Sequence, residues 1–179
     1  HDRLTGALNR GRLEELLRHE MAGAERYGTQ LALVLFDIDF FKQYNDTLGH
    51  AEGDRVLEVI GESLRDMTRN EDRAYRYGGG EFAILCTNTQ HEQAIAVAKR
   101  IVEKVRSLTI PHPKSPHGVV TVSAGVAELD AASASGESVS PFSSVDSRSM
   151  DSARSATTSG PAMMPIGPRL STPPAKPTK

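Results

Sequence analysis

Apolar residues recur along the chain with two alternating periods, one helical and one extended. Leu13, Leu16, Leu17 and Met21 share a helical face, with Asn9 as the N-cap before them and Tyr27-Gly28 as the stop after them. Leu31 to Asp37 opens with six consecutive apolar residues, the pattern of a central strand covered on both faces. Phe40 to Leu48 reads as a short helix or turn leading to Gly49-His50. Gly53-Asp54 is expected to open a second long helix that buries Leu57, Ile60, Leu64 and Met67. Ala74 to Tyr77 and Phe82 to Cys86 predict two short strands around a glycine triplet, and Ala94, Ala98, Ile101, Val105 and Leu108 mark another amphipathic helix. Pro111, Pro113 and Pro116 make a loop, after which Val119 to Ala127 is rich in β-branched residues and reads as a strand. A helix followed by βαββαβ predicts an α/β domain whose hairpin lies beside the central strand.

Two places in this scheme carry chemistry. At the hairpin tip, Gly78, Gly79 and Gly80 are expected to reach positive φ and to let a ligand approach the backbone, while Glu81 opens the returning strand. Where the buried strand stops, Asp37, Asp39 and Lys42 emerge together, and ligands of open α/β sheets bind at strand ends. Asp37 reads as a metal ligand or as a cap of the strand-to-helix turn. Asp39 is equally open to capping the next turn.

The segment LFDIDFFKQYNDTLGHAEGD followed by RYGGGEF closely resembles the GGDEF family of diguanylate cyclases. The resemblance covers about residues 1 to 127, opening on DRLTGALNR and closing on VTVSAGVA. It implies a palm-like fold with a central, mostly antiparallel sheet flanked by helices. It also implies condensation of two GTP molecules into cyclic di-GMP, a bacterial second messenger, by a homodimer that uses Mg²⁺ or Mn²⁺. Carried over residue by residue, it gives Asp37 and Glu81 as catalytic, with Asp37, the Ile38 carbonyl and Glu81 as metal ligands. Phosphate contacts fall to Lys42 and the backbone at Phe40 and Phe41. Asn45 and Asp54 match the guanine-reading pair, although an Asx turn at Asn45 and an N-cap at Asp54 explain the same residues. Arg69 and Asp72 match the family's RxxD inhibitory motif, which implies cyclic di-GMP binding; a solvated charged turn is the plain alternative. His50 falls in a structural turn of the family, and His112 and His117 have no metal-ligand spacing.

In one respect the signature departs from the family. Its third residue, an Asp or Glu that binds metal, is Gly80. Glu81 cannot simply substitute, because adjacent residues of a strand point to opposite faces. Nothing in residues 128–179 resembles the family's AD-x-ALY-x-AK-x-x-GRN segment, so the last helix and strand are expected to be missing, with their phosphate-binding lysine and arginine. Weak or absent cyclase activity is expected, with a non-catalytic module binding GTP or cyclic di-GMP as the alternative.

Composition changes the picture mainly at the end of the chain. Residues 131–179 hold seven of the ten prolines, twelve serines and one aromatic residue. That is too little apolar material to offset the entropy of ordering, so a GGDEF-like domain over 1–130 and a disordered tail over 131–179 are expected. The abrupt change fits an altered reading frame near residue 130, which resequencing of the coding DNA decides. Outside the tail the chain carries 16 basic and 20 acidic residues, which disfavours a cationic surface for nucleic-acid polymers. The single cysteine, Cys86, fits a reducing compartment, and no run has the length to span a bilayer, so cytoplasmic location without membrane contact is expected. The first residue is His1, which fits a module excised from a larger or membrane-anchored protein.

Overall fold

The computed structural model describes residues 1–68 and 72–129. Arg69 and the Ser/Pro-rich stretch 131–179 therefore lie outside the described residues. Helix α1, Arg10–Tyr27, starts where the Asn9 side chain accepts a hydrogen bond from the Arg12 N–H at 3.0 Å. It ends where Gly28, at φ 67°, donates to the Ala24 carbonyl, the left-handed stop that glycine permits.

Five strands follow or frame this helix: β1 (Leu8–Asn9), β2 (Leu31–Ile38), β3 (Arg73–Arg76), β4 (Glu81–Thr87) and β5 (Val122–Leu129). They form one sheet in the order β1-β3-β4-β2-β5, antiparallel throughout except for β1 against β3. The continuous apolar run of β2 thus becomes the strand between β4 and β5, as its composition requires.

Alternation along β2 sends Ala32, Val34, Phe36 and Ile38 to one face and Leu31, Leu33 and Leu35 to the other. The first set packs against α3 (His50–Met67) and α4 (His91–Ser107) through Val56, Leu57, Ile60, Leu64, Ala98 and Ile101. The second set packs against Leu13 and Leu17 of α1, together with Tyr75, Ala83 and Leu85. Each fully buried aliphatic side chain contributes about 1.5–3 kcal/mol, and truncating Leu17 to Ala should cost about 2–5 kcal/mol. Among the described residues, no helix is long and apolar enough to cross a membrane.

Several boundaries differ from expectation for local reasons. Helix α2, Phe41–Leu48, and α3 meet at Gly49, whose φ of 90° ends the first helix and opens the second. Helix α3 therefore begins at His50 rather than at Gly53-Asp54, so Asp54 is no N-cap and Asn45 sits in a helix rather than in an Asx turn. Val119 makes only an isolated bridge to Pro111, and β5 runs on to Leu129. Strand β1, two residues long, is too short to leave a period in the sequence.

Candidate active site

The register of β2 and β4 brings the two expected catalytic carboxylates together. Asp37 stands directly opposite Glu81, at the end of seven consecutive pairs that begin with Leu31 and Thr87. Side chains so paired share one face of the sheet. The Ile38 N–H donates to the Gly80 carbonyl at 3.1 Å, fixing the strand end against the glycine turn.

None of the three glycines of that turn adopts a positive φ, contrary to the expectation from the sequence. The N–H groups of Tyr77 and Gly78 both donate to the Glu81 carbonyl, at 2.9 and 3.3 Å, and this closes the turn without left-handed backbone. Close approach explains the glycines instead. A Cβ at Gly78 would collide with the Glu81 carboxylate, and one at Gly80 would lie 3.0 Å from Cδ1 of Phe41. At Gly79 it would meet open space. A side chain at position 80 is thus directed at the Phe41 ring, whereas the Glu81 carboxylate folds over Gly78.

Arg76 holds the turn from outside. Its Nε donates to the Gly78 carbonyl at 3.2 Å and its Nη2 to the Gly79 carbonyl at 3.1 Å, while Nη1 pairs with both oxygens of Asp2 at 3.2 and 3.3 Å. Asp2 also accepts from the N–H and hydroxyl of Thr5, at 2.9 and 2.8 Å. Burial pushes the Asp2 carboxyl up, but the Thr5 donors and Arg76 together outweigh it and leave the group below its ordinary value.

Asp39 does not cap the next turn. Its carboxylate accepts from Thr121 Oγ1 and Ser123 Oγ, both at 2.6 Å, and its N–H donates to the Thr121 carbonyl at 3.0 Å. The residue ties β5 to the exit of β2. Phe40 occupies the N-cap position of α2 instead, in a left-handed conformation at φ 57° and ψ 26° that is uncommon for a non-glycine residue. Its carbonyl accepts from the Tyr44 N–H at 3.0 Å and lies 3.3 Å from Nε2 of His112.

A cleft of about 700 Å³ opens at this strand end. Asp37, Ile38, Phe40, Phe41 and Lys42 line one side, and Pro116, His117 and Ser123 complete it. Lys42 is exposed in this wall. Glu81, Asn45 and Asp54 do not line the cleft. Asn45 belongs to the corner where α2 packs on α3, and there its side chain lies so close to Gly53 that a Cβ would overlap Oδ1. That Oδ1 is buried and has no hydrogen-bond partner among the described residues, and Asp54 beside it is exposed. An orphaned acceptor costs about 1–3 kcal/mol and marks a place for a donor that the described residues do not supply.

Of the RxxD pair only Asp72 lies within the described residues. It is buried, in a groove shared with Arg65, Thr68 and Arg73. The described residues contain no group of three His, Cys, Asp or Glu able to hold a metal. Asp37 and Ile38 in the cleft, with Glu81 opposite Asp37 in the ladder, are the residues whose oxygens could hold a hard cation. Such a set suits Mg²⁺, which is commonly held by one or two carboxylates, substrate phosphates and water.

The Asp2, Thr121, Ser123 and His112 contacts were not evident in the sequence. Each partner lies 72 or more residues away from the group it holds.

A mixed five-stranded sheet with helices packed on both faces places the domain in the α/β class. Within that class, the chain matches the model of the family described as "Diguanylate cyclase, GGDEF domain" over residues 1–143, and it belongs to the GGDEF family. Diguanylate cyclase DosC of Escherichia coli K12 is 35% identical over 126 residues, which cover 70% of this chain and 27% of that protein. Diguanylate cyclase SiaD of Pseudomonas aeruginosa, solved with its activator SiaC, superposes with a TM-score of 0.74 at 36% identity, covering 87% of this chain and 58% of that one. The GGDEF domain of DgcB from Caulobacter crescentus, solved with c-di-GMP, gives a TM-score of 0.72 at 29% identity, covering 88% and 86%. The chain thus spans about a quarter of the length of the curated relative.

Proposed function

We propose that residues 1–130 form a guanine-nucleotide domain of the diguanylate cyclase type, which condenses two GTP into cyclic di-GMP at a rate lowered by Gly80. The observation that carries this reading is the gathering of Asp37, Ile38, Phe40, Phe41 and Lys42 in one cleft. Lys42 and the backbone N–H groups of the α2 turn take the phosphates. Asn45 and Asp54 read guanine: the carboxylate accepts from N1–H and the 2-amino group, a pattern adenine does not offer, and the Asn45 acceptor gains a donor.

Asp37, the Ile38 carbonyl and Glu81 would hold a hard cation, Mg²⁺ or Mn²⁺, which would supply charge neutralisation of the triphosphate and a more acidic 3′-hydroxyl. Two domains face each other with two-fold symmetry. Each 3′-oxygen forms a bond to the partner's α-phosphorus, pyrophosphate leaves, and Glu81 takes the hydroxyl proton. Cyclic di-GMP returns to a separate site at Arg69 and Asp72. Residues 128–179, which contain nothing like the family's lysine- and arginine-bearing segment, lower the rate further. The domain works in the cytoplasm.

Gly80 favours a second reading, a binding module without turnover, because the Glu81 carboxylate lies against Gly78 and position 80, which faces the Phe41 ring, brings no carboxylate of its own. Chromatographic separation of nucleotides after long incubation with GTP and Mg²⁺ or Mn²⁺ decides between them. Cyclic di-GMP in the product supports the cyclase reading. Its absence, with GTP or cyclic di-GMP still raising the melting temperature, leaves the binding module.

A further inference from the structure

His112 is fully buried in the proline loop, and no role described so far uses it. Its Nε2 lies 3.3 Å from the Phe40 carbonyl oxygen, and its ring meets Tyr44 edge-on with centroids 5.1 Å apart. Because a carbonyl only accepts, Nε2 carries the proton and Nδ1 is left bare. Nδ1 is buried and has no partner among the described residues, so a single hydrogen bond orients the imidazole.

Both elements joined by this bond are closed units. The loop satisfies its own backbone: His112 N–H donates to Gly118, Ser115 N–H to His112 and Gly118 N–H to Ser115, each at 3.0 Å, and Val120 N–H donates to Ile110 at 2.8 Å. It is therefore braced by its own hydrogen bonds. The opposite partner is the left-handed residue Phe40, a conformation that persists in a non-glycine residue only where the surroundings over-determine it. Phe40 to Gln43 form one wall of the cleft, and Pro116 and His117 belong to the other. His112 is a side-chain link between them among the described residues.

We infer that His112 is a positioning residue: through Nε2–H donating to the Phe40 carbonyl it sets the α2 turn, and so the strength with which the cleft holds phosphate rather than guanine. This inference rests on the reading of the cleft as the triphosphate site. Replacing His112 with Phe keeps an aromatic ring beside Tyr44 but removes the donor, whereas His112→Gln keeps a donor.

NMR titrations of both variants and the wild type with GTP and Mg²⁺, and separately with guanosine, test it, alongside amide exchange of the unliganded proteins. His112→Phe should weaken GTP binding about three- to tenfold, the worth of one hydrogen bond, while guanosine affinity stays within about twofold. His112→Gln should recover much of the loss. Exchange at the amides of residues 41–44 should quicken in His112→Phe and much less in His112→Gln. Equal losses for GTP and guanosine, unchanged GTP affinity, or identical behaviour of the two variants would overturn the inference. If the wild type binds neither ligand, the triphosphate reading fails by itself; the inference is then decided by exchange, and unaltered rates at 41–44 in His112→Phe would sink it. Should His112→Phe not fold, His112→Leu takes its place with the same expectations.

Discussion

Two glycines bound the candidate nucleotide site, and the space around them differs. At Gly53 a Cβ would overlap the Asn45 carboxamide, so the packing of Asn45 in this corner is possible only because no side chain stands there. At Gly80 a Cβ would touch the Phe41 ring at 3.0 Å, a contact that a shift of the ring by a few tenths of an ångström relieves, and the backbone already has a conformation open to any L-residue. On the proposed reading the first glycine makes a binding feature, and the second takes the place of one. Base recognition and metal chemistry would then be separable, and one could be intact without the other.

The strongest test of that separation is Gly80→Asp. Restoring a carboxylate that acts on the developing charge should raise cyclase turnover by about 10²-fold or more, with a stability cost of no more than about 1 kcal/mol from the Phe41 shift. Product formation and thermal melts check the two halves, and unchanged turnover would show that residues 128–179 hold the larger defect.

Gly53→Ala should do the reverse. Displacing Asn45 should weaken GTP binding about tenfold and destabilise the domain by about 1–3 kcal/mol, read by titration and by urea unfolding. Asp39→Asn sharpens the contrast at a third place, since the carboxylate accepts from two hydroxyls and an amide offers only one acceptor oxygen. A loss of about 1–3 kcal/mol in unfolding free energy is expected. If Asp39→Asn instead weakened metal-dependent nucleotide binding at unchanged stability, Asp39 would be a ligand.

Tyr75 supplies the mildest comparison. Like Asn45 Oδ1, its hydroxyl is buried without a partner among the described residues, but it belongs to the α1 face of the sheet. Tyr75→Phe should leave GTP affinity unchanged and be neutral or stabilising by up to about 1 kcal/mol. Burial pushes the phenol up to about 12. The neutral form is the one the fold favours, so this contribution is complete below pH 10 and is lost as pH rises through 12. Alkaline melts of the wild type and Tyr75→Phe should diverge over that window.

Much of the fold was legible because it rests on periodicity. The six apolar residues from Leu31 to Phe36 could only be a strand covered on both sides, and Asn9 and Gly28 announced the ends of α1 by their own chemistry. Gly53 misled because Gly49 holds the place at the helix start that was expected of it. Both are glycines near a helix start, but one supplies a positive φ and the other supplies space, and sequence alone does not distinguish these uses. The same ambiguity produced the wrong conformation for Gly78–Gly80. Asp37, Lys42 and Glu81 were legible as chemistry at element ends, whereas the two hydroxyls that hold Asp39, the Asp2–Arg76 pair and the His112–Phe40 bond join distant segments and leave no local pattern.

The ladder from Leu31 opposite Thr87 to Asp37 opposite Glu81 has a consequence for the history of such a chain. Its alignment is fixed by buried residues that never meet a ligand, so the last rungs can gain or lose a functional group by one codon change while the rest stays in place. A lineage can let its chemistry lapse and recover it later, because what is inherited is the address and not the occupant.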